Sequence, residues 1–172
     1  MLIEFSGLPA TGKSTLASWL ATRIGAVLLR VDEIEAAMRR NGLTAEQTGI
    51  AAYSVAHDVA GRQLRLGLTV IADAVNPVQQ ARQGWRTLAD GAGVKHLVIE
   101  TSCDDLAEHR RRVESRAHDI PGWQYPGWDD VQARRREYQP RTDHRLALDT
   151  TRPLGDSEQA VIEFLGGDLL AG

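Results

Sequence analysis

The stretch GLPATGKST at residues 7–15 restricts the fold more than any other part of the chain. Gly7, four intervening residues, then Gly12, Lys13 and Ser14 make the phosphate-loop spacing G-x-x-x-x-G-K-[ST]. Two glycines let the backbone curl until several N–H groups face one anion, and a helix beginning near Lys13 adds its positive dipole end. The motif makes Gly7, Leu8, Pro9, Ala10, Thr11, Gly12, Lys13, Ser14 and Thr15 a candidate cradle for a nucleotide. Lys13 would reach the β and γ phosphates and the Ser14 hydroxyl would ligate Mg²⁺. The flanks fit: LIEF reads as a short buried strand, and KSTLASWLATRIG has apolar residues at helical spacing with Gly25 as its stop.

Further apolar runs, AVLLRV (26–31), LTVIA (68–72), KHLVIE (95–100) and HRLALD (144–149), are separated by segments long enough for helical crossovers. That alternation predicts an α/β fold, a parallel sheet covered by helices on both faces. The chain has 172 residues, enough for one domain with a full core, and its net charge of −3 favours neither nucleic acid nor an anionic membrane surface. It has no apolar run of membrane-spanning length and no signal-peptide pattern after Met1, so a cytoplasmic location is expected. Cys103 stands alone, and the scattered histidines lack metal-ligand spacing.

Ligands of open parallel sheets gather at the carboxyl ends of the strands, where this sequence places two acids. Asp32 closes the second run and opens a helix. It could accept a proton from an attacking hydroxyl, approach Mg²⁺ through water, or simply cap the helix. Asp73 closes the third run, the position of a metal-side carboxylate, or else a turn residue. Spacing leaves the two roles interchangeable, and our reading gives the proton to Asp32 and the metal to Asp73. Asn76 and Pro77 would then lead into a helix carrying Arg82, making Asp32, Asp73, Asn76 and Arg82 candidate substrate-binding residues.

CDDLAEHRRRVESR predicts a helix on which Arg112 and Arg116, four apart, can face one ligand while the adjacent arginines cannot. Beside a triphosphate they could neutralise charge developing during transfer, or Arg112 could pair with Glu108. The Pro, Gly and aromatic-rich segment AHDIPGWQYPGW (117–128) reads as a mobile excursion, its Trp123, Tyr125 and Trp128 able to shelve an acceptor or to pack the loop. The ARRREY segment that follows reads as a solvated basic face.

Together GLPATGKST, the acid in VDEI, VIADAVNPVQQAR and the arginine helix resemble the small P-loop kinases related to adenylylsulfate kinase, gluconate kinase and polynucleotide 5′-kinase. The resemblance spans nearly the whole chain. It implies a P-loop NTPase sheet of five strands in order 2-3-1-4-5, a lid over about 112–136, Asp32 as base and Arg82 at the acceptor. It also implies an adenine-side loop near Thr151 to Pro153. The expected catalytic residues are Lys13, Asp32 and Arg116, with Arg112 and Pro153 at the nucleotide and Ser14 and Asp73 at the metal. The implied activity is transfer of the γ-phosphoryl group of ATP, with Mg²⁺, to a hydroxyl of a small molecule. Alternatives are a 5′-hydroxyl polynucleotide kinase and a non-catalytic ATP-binding switch. The sequence lacks the KGLY signature of adenylylsulfate kinase, and nothing after Asp32 matches the gluconate kinase acceptor segment, so the acceptor stays open.

Overall fold

The computed structural model describes residues 1–166. Five strands, β1 (Leu2–Ser6), β2 (Val27–Arg30), β3 (Val70–Asp73), β4 (His96–Ser102) and β5 (Leu146–Asp149), form one sheet in the order β2-β3-β1-β4-β5. Every neighbouring pair is parallel. β1 is the central strand and is buried along its whole length, so its loop opens at the middle of the sheet's carboxyl edge.

The two faces of β1 alternate as a strand requires. Ile3 and Phe5 join Ile71 and Ile99 against Leu16 and Leu20 of helix α1 (Lys13–Ile24) and Val161 and Leu165 of α7 (Leu154–Leu165). On the opposite face, Leu2, Val70 and Ala72 pack on α3 (Ala45–Arg65) and α4 (Gln79–Gly91). Here α3 presents an i, i+4 stripe of fully buried alanines, Ala52, Ala56 and Ala60, and Trp85 of α4 fills the space beside them. Small side chains at that spacing let the helix lie close to the sheet.

Glu4 also points to this second face and is fully buried. It accepts hydrogen bonds from Asn76 Nδ2 (3.0 Å) and Arg141 Nη1 (2.8 Å), and its other oxygen lies 3.1 Å from His96 Nε2. Arg141 also donates to both oxygens of Asp143, so a charged network crosses the sheet beneath the phosphate loop.

The second strand stops at Arg30, because α2 (Val31–Arg40) begins immediately. Asp32 is therefore the second residue of that helix, and the N-cap position belongs to Arg30. The arginine helix is α5 (Leu106–Ser115), capped by Asp105, whose carboxylate accepts from the N–H groups of Ala107 and Glu108. Residues 116–127 are irregular, and α6 (Trp128–Glu137) follows.

Candidate active site

The phosphate loop is shaped by unusual backbone angles. Gly7 has φ 135°, and a Cβ there would lie 2.3 Å from the carbonyl oxygen of Thr101, so no other residue fits. Ala10 adopts left-handed φ 63°, uncommon for a residue with a side chain, and Gly12 follows with φ 82° as the N-cap of α1. The Thr11 hydroxyl donates to Leu8 O at 2.8 Å and lies 2.7 Å from the Thr101 hydroxyl, fixing the curl against β4. Lys13 is buried, with Nζ donating to Leu8 O at 3.3 Å.

Two cavities meet over this loop, and both include Ala10, Gly12, Thr15 and Arg116 in their walls. One, of about 390 Å³, opens toward Leu16, Arg112, Thr150 and Arg152. Arg112 forms the alternative pair with Glu108 at 2.7 Å and also clasps Thr150, donating to its hydroxyl and its carbonyl at 2.9 and 2.8 Å. Pro153 is an exposed N-cap of α7; its neighbours Arg152 and Leu154 line the cavity instead of it.

The second cavity, of about 320 Å³, lies beyond Lys13 and Ser14 and is walled by Arg30, Asp32, Arg134 and the 116–127 segment. Burial raises the Asp32 carboxyl above its usual value; Lys13 opposes that shift and Asp73 reinforces it. Asp73 is almost fully buried at the end of β3, with its Oδ2 3.4 Å from Arg30 Nε. Arg30 Nη1 also bonds Glu33 at 2.9 Å and Asp119 at 2.7 Å. The oxygen donors Ser14, Asp32 and Asp73 are the hard set that suits Mg²⁺, which takes one or two carboxylates together with phosphate oxygens and keeps several waters. Among the described residues, no three His, Cys, Asp or Glu side chains converge on a protein-only metal site.

The 116–127 segment lies across this cavity and is fastened to α2 and its approach. Asp119 reaches Arg30, Arg40 donates to Pro121 O, and the Arg39 guanidinium sits 4.9 Å from the centre of the Trp123 ring. Arg116 stacks over Tyr125 at 4.4 Å and donates to Pro126 O, while its buried Nε has no protein acceptor. Burial lowers the Arg116 pKa. Trp123 and Tyr125 face the cavity, whereas Trp128 packs edge-on against His109.

The structure thus brings Lys13, Ser14, Asp32 and Arg116 into one chamber with Asp73 behind Arg30, but it places Asn76 and Arg82 outside. Asn76 is fully buried at φ 49°. Its amide donates to Glu4 and its oxygen accepts from Trp85 Nε1 at 3.1 Å, which leaves the side chain shaping the turn after β3. Arg82 donates to the carbonyls of Asn76, Pro77, Gln139 and Pro140 and lies over Tyr138, tying that turn to the segment after α6. Neither side chain lines the two cavities over the phosphate loop. Arg30, Asp119 and Arg134 were not predicted from sequence. Arg30 carries one usable signal, a lone basic residue ending an apolar strand directly before an acidic helix start.

A family model described as an AAA domain matches residues 2–125. Solved structures share the fold across nearly the whole chain. A candidate kinase from Chloroflexus aurantiacus is 23% identical, with 99% of this chain and 96% of that one covered at a TM-score of 0.77. The adenylylsulfate (APS) kinase CysC of Mycobacterium tuberculosis, in complex with AMPPNP and APS, is 20% identical over 95% and 96% at 0.70. A gluconokinase from Sinorhizobium meliloti is 16% identical over 95% and 90% at 0.69. No curated protein matches the sequence. No helix among the described residues is long and apolar enough to cross a membrane.

Proposed function

The chain belongs to the AAA domain family, and from that premise and the shared fold we propose that it is an ATP-dependent kinase phosphorylating a hydroxyl of a small molecule. The carrying observation is the pair of cavities that share one phosphate loop. The cavity bordered by Arg112 and Arg152 suits the nucleoside. The one beyond Lys13, with a buried carboxylate in its wall, suits the acceptor.

In this reading the phosphate-loop N–H groups and Lys13 hold the β and γ phosphates, and segment 116–127 with α6 acts as the lid. Ser14 and Asp73 would hold Mg²⁺, whose charge would offset that of the phosphates. The acceptor oxygen forms a bond to the γ phosphorus as the bond to the β–γ bridging oxygen breaks. The hydroxyl proton passes to Asp32, and ADP leaves with the electron pair. The upward shift of Asp32 brings its proton affinity closer to that of the group it must serve. Arg116, with a free buried Nε, supplies a planar donor set for the charge on the transferring group.

The cavity's cations are Lys13, Arg30, Arg116 and Arg134, against Asp32 and Asp119. That balance favours a neutral or anionic hydroxyl compound over a polycationic one. The test is ADP release from Mg²⁺-ATP across a panel of sugars, polyols, hydroxy acids, nucleosides and oligonucleotides, with mass detection of the phosphorylated product. One acceptor that raises ADP release and gains a phosphoryl group supports the reading. ATP binding without turnover across the panel would favour a nucleotide switch.

A further inference from the structure

His109 lies on α5, three residues before Arg112 and seven before Arg116, and is fully buried. Nε2 is 2.9 Å from the carbonyl oxygen of Pro9, inside the phosphate loop. Nδ1 is 2.9 Å from Arg135 Nη2 of α6. A guanidinium can only donate, so Nδ1 is the acceptor and the ring proton sits on Nε2, from which it is donated to Pro9. Trp128, at the start of α6, meets the ring edge-on with centroids 5.5 Å apart. One imidazole therefore touches the phosphate loop and two points of the lid helix.

The Pro9 carbonyl is a consequential group to hold. In a planar trans peptide the C=O and the following N–H point in opposite directions. Anchoring Pro9 O to His109 turns the Ala10 N–H the other way, and Ala10 borders both cavities over the loop. Ala10 also has left-handed φ 63°, a conformation that strains a residue with a Cβ and persists only where the surroundings impose it. The His109 bond lies on the peptide directly before it.

We infer that His109 is a positioning residue: it sets the Pro9–Ala10 peptide for phosphate binding and makes that setting depend on the place of α6 through Arg135. The charged groups facing the ring are Arg135 of α6, Arg112 of its own helix and Lys13 of α1, all cationic, and the neighbouring Glu108 carboxylate is bonded to Arg111 and Arg112. Burial is the largest influence, the bond to Pro9 O opposes it and the cations reinforce it, and the net effect lowers the imidazole pKa. The ring stays neutral and both bonds persist above the ordinary imidazole pKa of about 6.5. As pH falls through the lowered value, a second N–H appears on Nδ1 against the Arg135 donor, and the link opens.

The experiment is calorimetric titration of Mg²⁺-AMPPNP, which needs no acceptor, against wild type, His109→Gln and His109→Phe from pH 5 to pH 8. Phe keeps the ring volume and loses both bonds. Gln can still donate toward Pro9 and does not titrate. Near pH 8, His109→Phe should bind roughly 3- to 10-fold more weakly than wild type, the range expected for losing one or two net hydrogen bonds, with His109→Gln between them. On acidification wild type should lose affinity faster than His109→Gln; the nucleotide's own titration is common to both and cancels in the ratio. Arg135→Met, should His109→Phe not fold, must weaken binding in the same direction. Equal affinities near pH 8 for wild type, His109→Gln and Arg135→Met, or parallel acid limbs for wild type and His109→Gln, would overturn the inference. The inference rests on the kinase reading only for what the positioned phosphate is used for. Normal AMPPNP results with no acceptor found would count against the kinase reading and leave His109 in place.

Discussion

Removing Arg141 should damage this protein far more than removing its partner Glu4, although each is half of one ion pair. The side chains are 1% and 0% exposed, with Nη1 to Oε1 at 2.8 Å. Arg141→Met leaves a buried carboxylate facing only the Asn76 amide and His96, and breaking a buried pair in this way costs about 3–5 kcal/mol. Glu4→Gln keeps an acceptor for both donors, and Arg141 still has Asp143 at 3.0 and 2.7 Å, so that loss should be about 1–2 kcal/mol. At about 2–4 °C per kcal/mol for a chain of this size, Arg141→Met should melt about 6–20 °C below wild type. The double variant Glu4→Gln/Arg141→Met, with no buried charge at position 4, should be more stable than Arg141→Met alone. Asp143 adds a pH signature, because the hydrogen bond from Arg141 holds its carboxyl below the usual range. Its contribution is present above about pH 4 and disappears as pH falls through the lowered value, so Arg141→Met should flatten the acid limb of stability against pH. Urea midpoints for the four proteins at pH 7 and across pH 3–6 test this. If Arg141→Met loses less than Glu4→Gln, the buried carboxylate is not charged and the reasoning fails.

Gly7→Ala should abolish AMPPNP binding, since its Cβ would lie 2.3 Å from the Thr101 carbonyl oxygen; retained affinity in calorimetry would mean that β4 yields where the structure says it cannot. Arg116→Lys should lower kcat about 10²-fold or more with ATP affinity changed much less, because lysine lacks the planar fork, and a near-normal kcat would confine Arg116 to stacking on Tyr125. Asp32→Asn should lose about 10²- to 10⁴-fold in kcat with Mg²⁺-ATP binding retained, whereas Asp73→Asn should raise the Mg²⁺ concentration for half-maximal activity. The reverse pattern in a Mg²⁺ titration would exchange the two roles. With the Asp32 carboxyl raised by burial, the wild-type rate should climb with pH through a value above the ordinary carboxylate range.

The parts of the site that sequence revealed are those whose geometry is local. The phosphate loop is one contiguous stretch, and the order of strand, turn and helix around it follows from spacing within about 25 residues. Asp73 was legible for the same reason, as the last residue of an apolar run in a parallel sheet. Asn76 was less legible because a polar residue at a strand end has two directions open to it, toward the ligand edge or back into the sheet. What draws it inward is Glu4, 72 positions earlier and itself unexpected in a buried strand. Arg82 depends on a still more distant fact, that the chain returns at Gln139 and Pro140 to present carbonyls to it.

Arg30 shows why the acceptor side was the least legible region. Its guanidinium meets Asp73 from β3, Glu33 from α2 and Asp119 from the 116–127 segment. Only Glu33 is near enough in sequence for spacing to suggest the pair, and an i, i+3 surface pair carries little functional information. The consequential contacts join three elements whose proximity is decided by sheet order and by the path after α5. Arg30 bridges Asp73 through Nε and Asp119 through Nη1, so the end of β3 and the 116–127 segment are electrostatically linked through one cation.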